Sequence, residues 1–81
     1  GLSVVPNPTD KNTVITVQLK QAQDLNLELL NAAGQVVWKE TKPGANGTVR
    51  IPLDLSSLDK GVYLLRMHRA DGIITQRVVK R

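Results

Sequence analysis

Gly61-Val62-Tyr63-Leu64-Leu65-Arg66-Met67-His68-Arg69-Ala70-Asp71-Gly72-Ile73-Ile74-Thr75-Gln76-Arg77-Val78-Val79-Lys80-Arg81 is the stretch that decides how this chain is read. Two apolar-rich runs flank Asp71-Gly72, a dipeptide suited to a tight turn, and the pattern predicts a β-hairpin. Tyr63, Leu65 and Met67 alternate with Leu64, Arg66 and His68, so one side of the first strand is expected to face a core. With Asp71-Gly72 as a two-residue turn, Leu65 would face Val78, Arg66 would face Arg77 and Leu64 would face Val79. Like charges directly opposite are destabilising by about 0.2 to 1 kcal/mol. A basic pair beside outward Leu64 and Val79 reads as a docking surface, the alternative being a surface that simply tolerates the cost. A three-residue turn with a bulge at Gly72 would shift every pair by one and dissolve the arginine pairing.

The same stretch holds the charge. Residues 60–81 carry six of the eleven basic residues, with Asp71 as their single acidic one, and the net charge of the chain is +4. Nucleic acid is nevertheless not the expected partner. Trp38 and Tyr63 are the only aromatics, too few for base stacking, and no helix long enough for a groove is apparent.

Outward from the hairpin, period-two alternation continues. Ile15, Val17 and Leu19, then Leu25, Leu27 and Leu29, then Val49, Ile51 and Leu53 alternate with polar residues or Pro52. Strands are predicted near Leu2–Val5, Thr13–Leu19, Leu25–Leu30, Gln35–Thr41, Thr48–Leu53, Val62–His68 and Ile73–Lys80. Turn residues separate them, including Asn46-Gly47 as a two-residue hairpin turn. Pro52 lacks a ladder donor, so its strand should lie at an edge or be irregular there. Asp54 to Gly61 reads as one capped helical turn. About seven short antiparallel strands in 81 residues predict an all-β, immunoglobulin-like β-sandwich in a single domain, with a small barrel as the alternative.

Little in the chain points to catalysis. The absence of cysteine excludes disulfides, thiolate metal sites and a cysteine nucleophile. His68 is the only histidine and shows no triad, dyad or metal set around it in sequence, and Ser3, Ser56 and Ser57 lack a nucleophile-elbow context. No metal, cofactor or enzymatic activity is expected. Asn7, Asp10 and Asn12 could offer oxygen ligands, but side chains bonding their own backbone in a turn account for them better. Gly44-Ala45-Asn46-Gly47 has the spacing of a glycine clamp without the flanking helices. Asn46-Gly47-Thr48 matches a glycosylation sequon, a motif frequent by chance. Trp38 and Tyr63 could stack on a sugar, but in a small sandwich they are expected in the core. No apolar run approaches the length needed to span a bilayer as a helix, so direct membrane insertion is not expected.

Four blocks, in order, carry a resemblance. Val5-Pro6-Asn7-Pro8, the run from Leu27 to Val37 (Leu-Glu-Leu-Leu-Asn-Ala-Ala-Gly-Gln-Val-Val), the run from Leu53 to Arg66, and Thr75-Gln76-Arg77-Val78-Val79-Lys80 together resemble the type A C-terminal sorting domain of type IX secretion cargo. Val5 stands where the family often has an aromatic or aliphatic residue, and Gln76-Arg77 replaces a more lysine-rich pair.

The resemblance implies an immunoglobulin-like sandwich that closes an exported protein of Bacteroidetes-type bacteria, with a passenger on its N-terminal side. It implies recognition by the type IX machinery in the periplasm and at the outer membrane. It also implies removal by a sortase-like cysteine peptidase, leaving the passenger at the cell surface or secreted. Residues 1–81 would then be a single sorting domain excised from a longer precursor whose leader lies elsewhere. Arg66, Arg77, Val78, Val79, Lys80 and Arg81 are the expected recognition residues. An adhesive or carbohydrate-binding module of a surface protein is the competing expectation.

Overall fold

A computed structural model describes residues 1–81 and is all-β, with no helix. Five strands follow one another: β1 Leu2–Val5, β2 Asn12–Leu30, β3 Val36–Asp54, β4 Gly61–Arg69 and β5 Gly72–Lys80. The difference from the expected seven lies in β2 and β3. Each is a 19-residue strand that joins two of the predicted strands end to end.

Bulges explain why these strands bend and continue. The β2–β3 register shifts between Leu19 and Gln23 and again between Gln23 and Leu25. On the facing strand, Gly44 and Gly47 take φ of +61° and +65°, a left-handed conformation that a Cβ disfavours. The Asp24 carboxylate accepts the Gly44 N–H at 2.8 Å and fixes the bend from the other side. Asn46-Gly47 is therefore not a hairpin turn: it lies inside β3, with Gly47 opposite Leu19. Bulges sharpen the local twist and let a strand pass from one layer of a sandwich to the other.

The two halves of β2 have different neighbours. The first half pairs with β1 on one side and with the second half of β3 on the other. The second half lies between the first half of β3 and β4, with β5 beyond. A three-stranded layer thus folds over a four-stranded one, which is the expected sandwich with its corners left intact. Ile15 and Val17 from one layer and Leu25, Leu27 and Leu29 from the other are 0–1% exposed and belong to one apolar cluster. Only two facing layers can exclude water from both sets at once. Pro52 is tolerated because this half of β3 pairs with β2 alone.

Asp54 to Gly61 forms a turn, not a helix. Asp54 does cap it, accepting the Ser56 N–H at 2.8 Å, and one further bond runs from Leu58 N–H to Leu55 C=O at 3.0 Å. The chain then leaves, because Leu55 is fully buried in the core and its N–H is bound by the Lys11 carbonyl at 2.8 Å. A helix of so few residues does not offset its nucleation cost against that anchoring.

Gly47→Val should lower stability by about 1–2 kcal/mol, and the melting temperature by about 4–8 °C per kcal/mol. No atom lies within 4 Å of the added Cβ, so the loss is one of backbone conformation. Gly47→Asn should lose less, since asparagine tolerates the left-handed region; equal losses in the two variants would contradict this account.

Candidate functional site

The β4–β5 hairpin turns through Ala70-Asp71, with Arg69 opposite Gly72. This register lies two residues from the one expected, pairing Arg66 with Thr75, Leu64 with Arg77 and Val62 with Val79. Gly72, with φ +136°, takes the first position of β5, and the Ala70 N–H is bound by the Gln23 side-chain carbonyl at 3.0 Å. A shift of two keeps every side chain on its face. Arg66 and Arg77 therefore share a face but are not opposite each other, and the expected like-charge pair does not form.

Arg66 instead meets Glu28, its partner across β2. Arg66 Nε donates to Glu28 Oε1 at 2.9 Å, and His68 Nε2 lies 2.8 Å from the same oxygen. The hydrogen bond from His68, and next that from Arg66, hold the Glu28 carboxyl below the ordinary carboxylate range. Alternation along Leu25–Leu30 already puts Glu28 outward. Which strand would lie beside it is a long-range fact that no local pattern carries.

The remaining expected recognition residues separate into distinct roles. Val78 is fully buried opposite Tyr63, so its side chain acts through the core. The Lys80 ammonium donates to the Leu58 carbonyl and, at 3.4 Å, to that of Ser56, pinning the end of β5 to the turn before β4. Arg81 Nε reaches Asp10 Oδ1 at 3.1 Å on the exposed surface. Arg77 is exposed and forms no ion pair, and Val79 is half-buried beside Val62.

The Pro6-Asn7-Pro8 segment is a part of the site that local reasoning missed. Asn7 does not bond its own backbone: its Nδ2 donates to the Arg77 carbonyl at 2.7 Å, and its Oδ1 accepts the Val79 N–H at 2.9 Å. The side-chain amide thus stands in for a peptide group of a neighbouring strand, flanked by two prolines that have no N–H to offer. Thr9 continues the pairing, donating its N–H to the Val79 carbonyl and accepting the Arg81 N–H, both at 2.9 Å. The segment is itself held. Thr13 Oγ1 donates to the Pro6 carbonyl and Thr9 Oγ1 to that of Asn12, each at 2.6 Å. The outer edge of β5 is therefore covered from Arg77 to Arg81, while strand alternation leaves the backbone groups of Ile73 and Thr75 pointing outward.

The two aromatics form no exposed pair. Tyr63 is buried with its hydroxyl donating to the Asp59 carbonyl at 2.6 Å, and Trp38 packs half-buried against the core.

Residues 3–81 match the family model described as the secretion system C-terminal sorting domain. No curated protein matches the chain.

Asn7→Ala should lower stability by about 1–2 kcal/mol through the two lost bonds. Hydrogen exchange should accelerate at the Val79 amide, with β5 amides directed at β4 as the internal reference. The Glu28 linkage also has a defined sign. A carboxyl held lower in the folded state contributes stability above its unfolded pKa and loses it as pH falls through the folded value. The wild-type melting temperature should therefore drop more steeply than that of Glu28→Gln below about pH 4.3; parallel curves would show that the pair contributes nothing measurable.

Proposed function

We propose the function of this chain from the premise that it belongs to the secretion system C-terminal sorting domain family, which the match over residues 3–81 establishes. The domain is a sorting signal for type IX secretion. It interacts with that secretion machinery and accompanies cargo toward the outer membrane, the cell surface or the medium. The family is in general non-catalytic.

The finer reading is that a passenger lies N-terminal to the domain and that the fusion crosses the periplasm. The domain is then recognised at the outer membrane and removed by a sortase-like peptidase near its N-terminal boundary. The observation that carries this reading is the way the tail is held. β5 is bound by β4 on one side and by Asn7 and Thr9 on the other, so its outward side chains are presented on a fixed surface. Rigid presentation reduces the conformational entropy lost when a partner binds. Within the set Arg66, Arg77, Val78, Val79, Lys80 and Arg81, direct contact falls chiefly to Arg77, Val79 and Arg81. Arg66 acts through its Glu28 pair, Lys80 by pinning the strand end, and Val78 by packing.

The test is a reporter fused ahead of this domain in a type IX-competent host. Export to the surface or medium is expected, and a reporter retained in the periplasm would overturn the reading. Deleting Val78 to Arg81 should abolish export, whereas unchanged export would remove the tail from the account. Val78→Ala separates packing from recognition. It should lower stability by about 2 kcal/mol while leaving every charged group in place, so export that persists in it but not in the deletion assigns the loss to the tail's surface.

A further inference from the structure

The outer face of the four-stranded layer carries an apolar centre that belongs to no core. One register row crosses all four strands, from Val36 to Leu30 to Leu64 to Arg77, and beside it Val62 faces Val79. Leu30 is only 9% exposed, yet it lies outside the fifteen-residue core cluster. Its outward neighbours shield it, at the expense of their own exposure: Val36 is 44%, Leu64 41% and Val62 51% exposed. Isolated exposed valines and leucines are ordinary, whereas a contiguous set around a buried leucine marks an interaction surface.

The charges around this centre are unbalanced. Glu28 is already engaged by Arg66 and His68. Lys39, opposite Glu28 on β3, and Arg77, on β5, form no ion pair, so uncommitted cations stand on both outer strands of the layer. We infer that this face docks a protein surface with an aliphatic centre flanked by carboxylates. The inference rests on the export reading and makes that surface part of the secretion machinery.

Two other occupants fit less well. A second copy docked through the same face would bring only Glu28, already held by Arg66 and His68, to meet Lys39 or Arg77, and each copy carries a net charge of +4. A lipid surface is ordinarily gripped by aromatic side chains at the headgroup level. This face has none, since Tyr63 is buried and Trp38 packs toward the core. The recognised surface therefore extends beyond the tail to β2 and β3.

A photoreactive phenylalanine analogue placed at Val62 or Val36 of the reporter fusion, in a type IX-competent host, tests the occupant directly. The same analogue at exposed Thr48, on the other layer, is the control. Crosslinking from Val62 and Val36 but not from Thr48, to a machinery protein identified by mass spectrometry, is the expected result. Crosslinks to lipid, to a second fusion, equally from all three positions or from none would overturn the inference. In parallel, Leu64→Ser and Arg77→Glu should each lower export by about tenfold or more, as interface anchors do. Arg50→Glu, an equal charge change on the other layer, should leave export unchanged; both charge variants should keep the parent melting temperature, and Leu64→Ser should fold with a melting temperature lowered by about 4–8 °C, since it removes part of the cover over Leu30. Equal loss from Arg50→Glu, or no loss from the first two, would overturn the docking face. Failure of the unsubstituted fusion to be exported would instead overturn the export reading itself.

Discussion

Water must be excluded from both halves of β2 at once, and the rest of the structure depends on that requirement. Ile15 and Val17 in the first half and Leu25, Leu27 and Leu29 in the second point to the same side of one continuous strand. A flat sheet would leave that side wet. Bending β2 and β3 together through the bulges at Leu19–Leu25, with Gly44 and Gly47 opposite, closes the surface on itself while the backbone ladder runs on. A small chain gains in two ways from this. It buries a core from two layers and avoids the loop that would otherwise interrupt its backbone pairing.

Once β2 bends, the position of everything else follows. β4 can add only beside the second half of β2, and β5 only beside β4, so the basic hairpin becomes the far edge of the larger layer. An exposed edge invites unwanted pairing, and this one is blunted by an unusual cover. Asn7 and Thr9 occupy the backbone groups of β5 between Arg77 and Arg81, and Pro6 and Pro8 have no amide hydrogen with which to recruit a further strand. Between Arg77 and Arg81 the tail thereby offers its side chains to solvent more than its backbone. Arg77 and Val79 stand outward on the part of β5 whose edge Asn7 and Thr9 cover.

Much of this was legible in the sequence, and the limits are physical. Alternation located every strand segment, because period two records which side meets the core. It could not show that Leu19 and Leu25 lie on one strand, since a bulge and a turn use the same residues: Gly44, Asn46 and Gly47 look identical in either role. The hairpin register moved by two because Asp71 sits in the turn and Gly72 in the strand. The shift preserved the faces and abolished the arginine pairing. The ordered blocks around Val5-Pro6-Asn7-Pro8 and Leu53 to Arg66 identified the family. The work of Asn7 was invisible because its partners lie 70 and 72 residues away. Glu28 was hidden for the same reason, its partners lying 38 and 40 residues away.

That distance gives the asparagine bridge a meaning in time as well as space. Closing contacts of such separation is entropically demanding and comes late in assembly. A polypeptide interrupted before Arg77 has the strand segments for most of the sandwich but nothing for Asn7 or Thr9 to hold. Its last strand lacks the edge that the Pro6-Asn7-Pro8 segment covers. The bridge thus makes the covered edge of β5 a product of both ends of the domain, and neither end can form it alone.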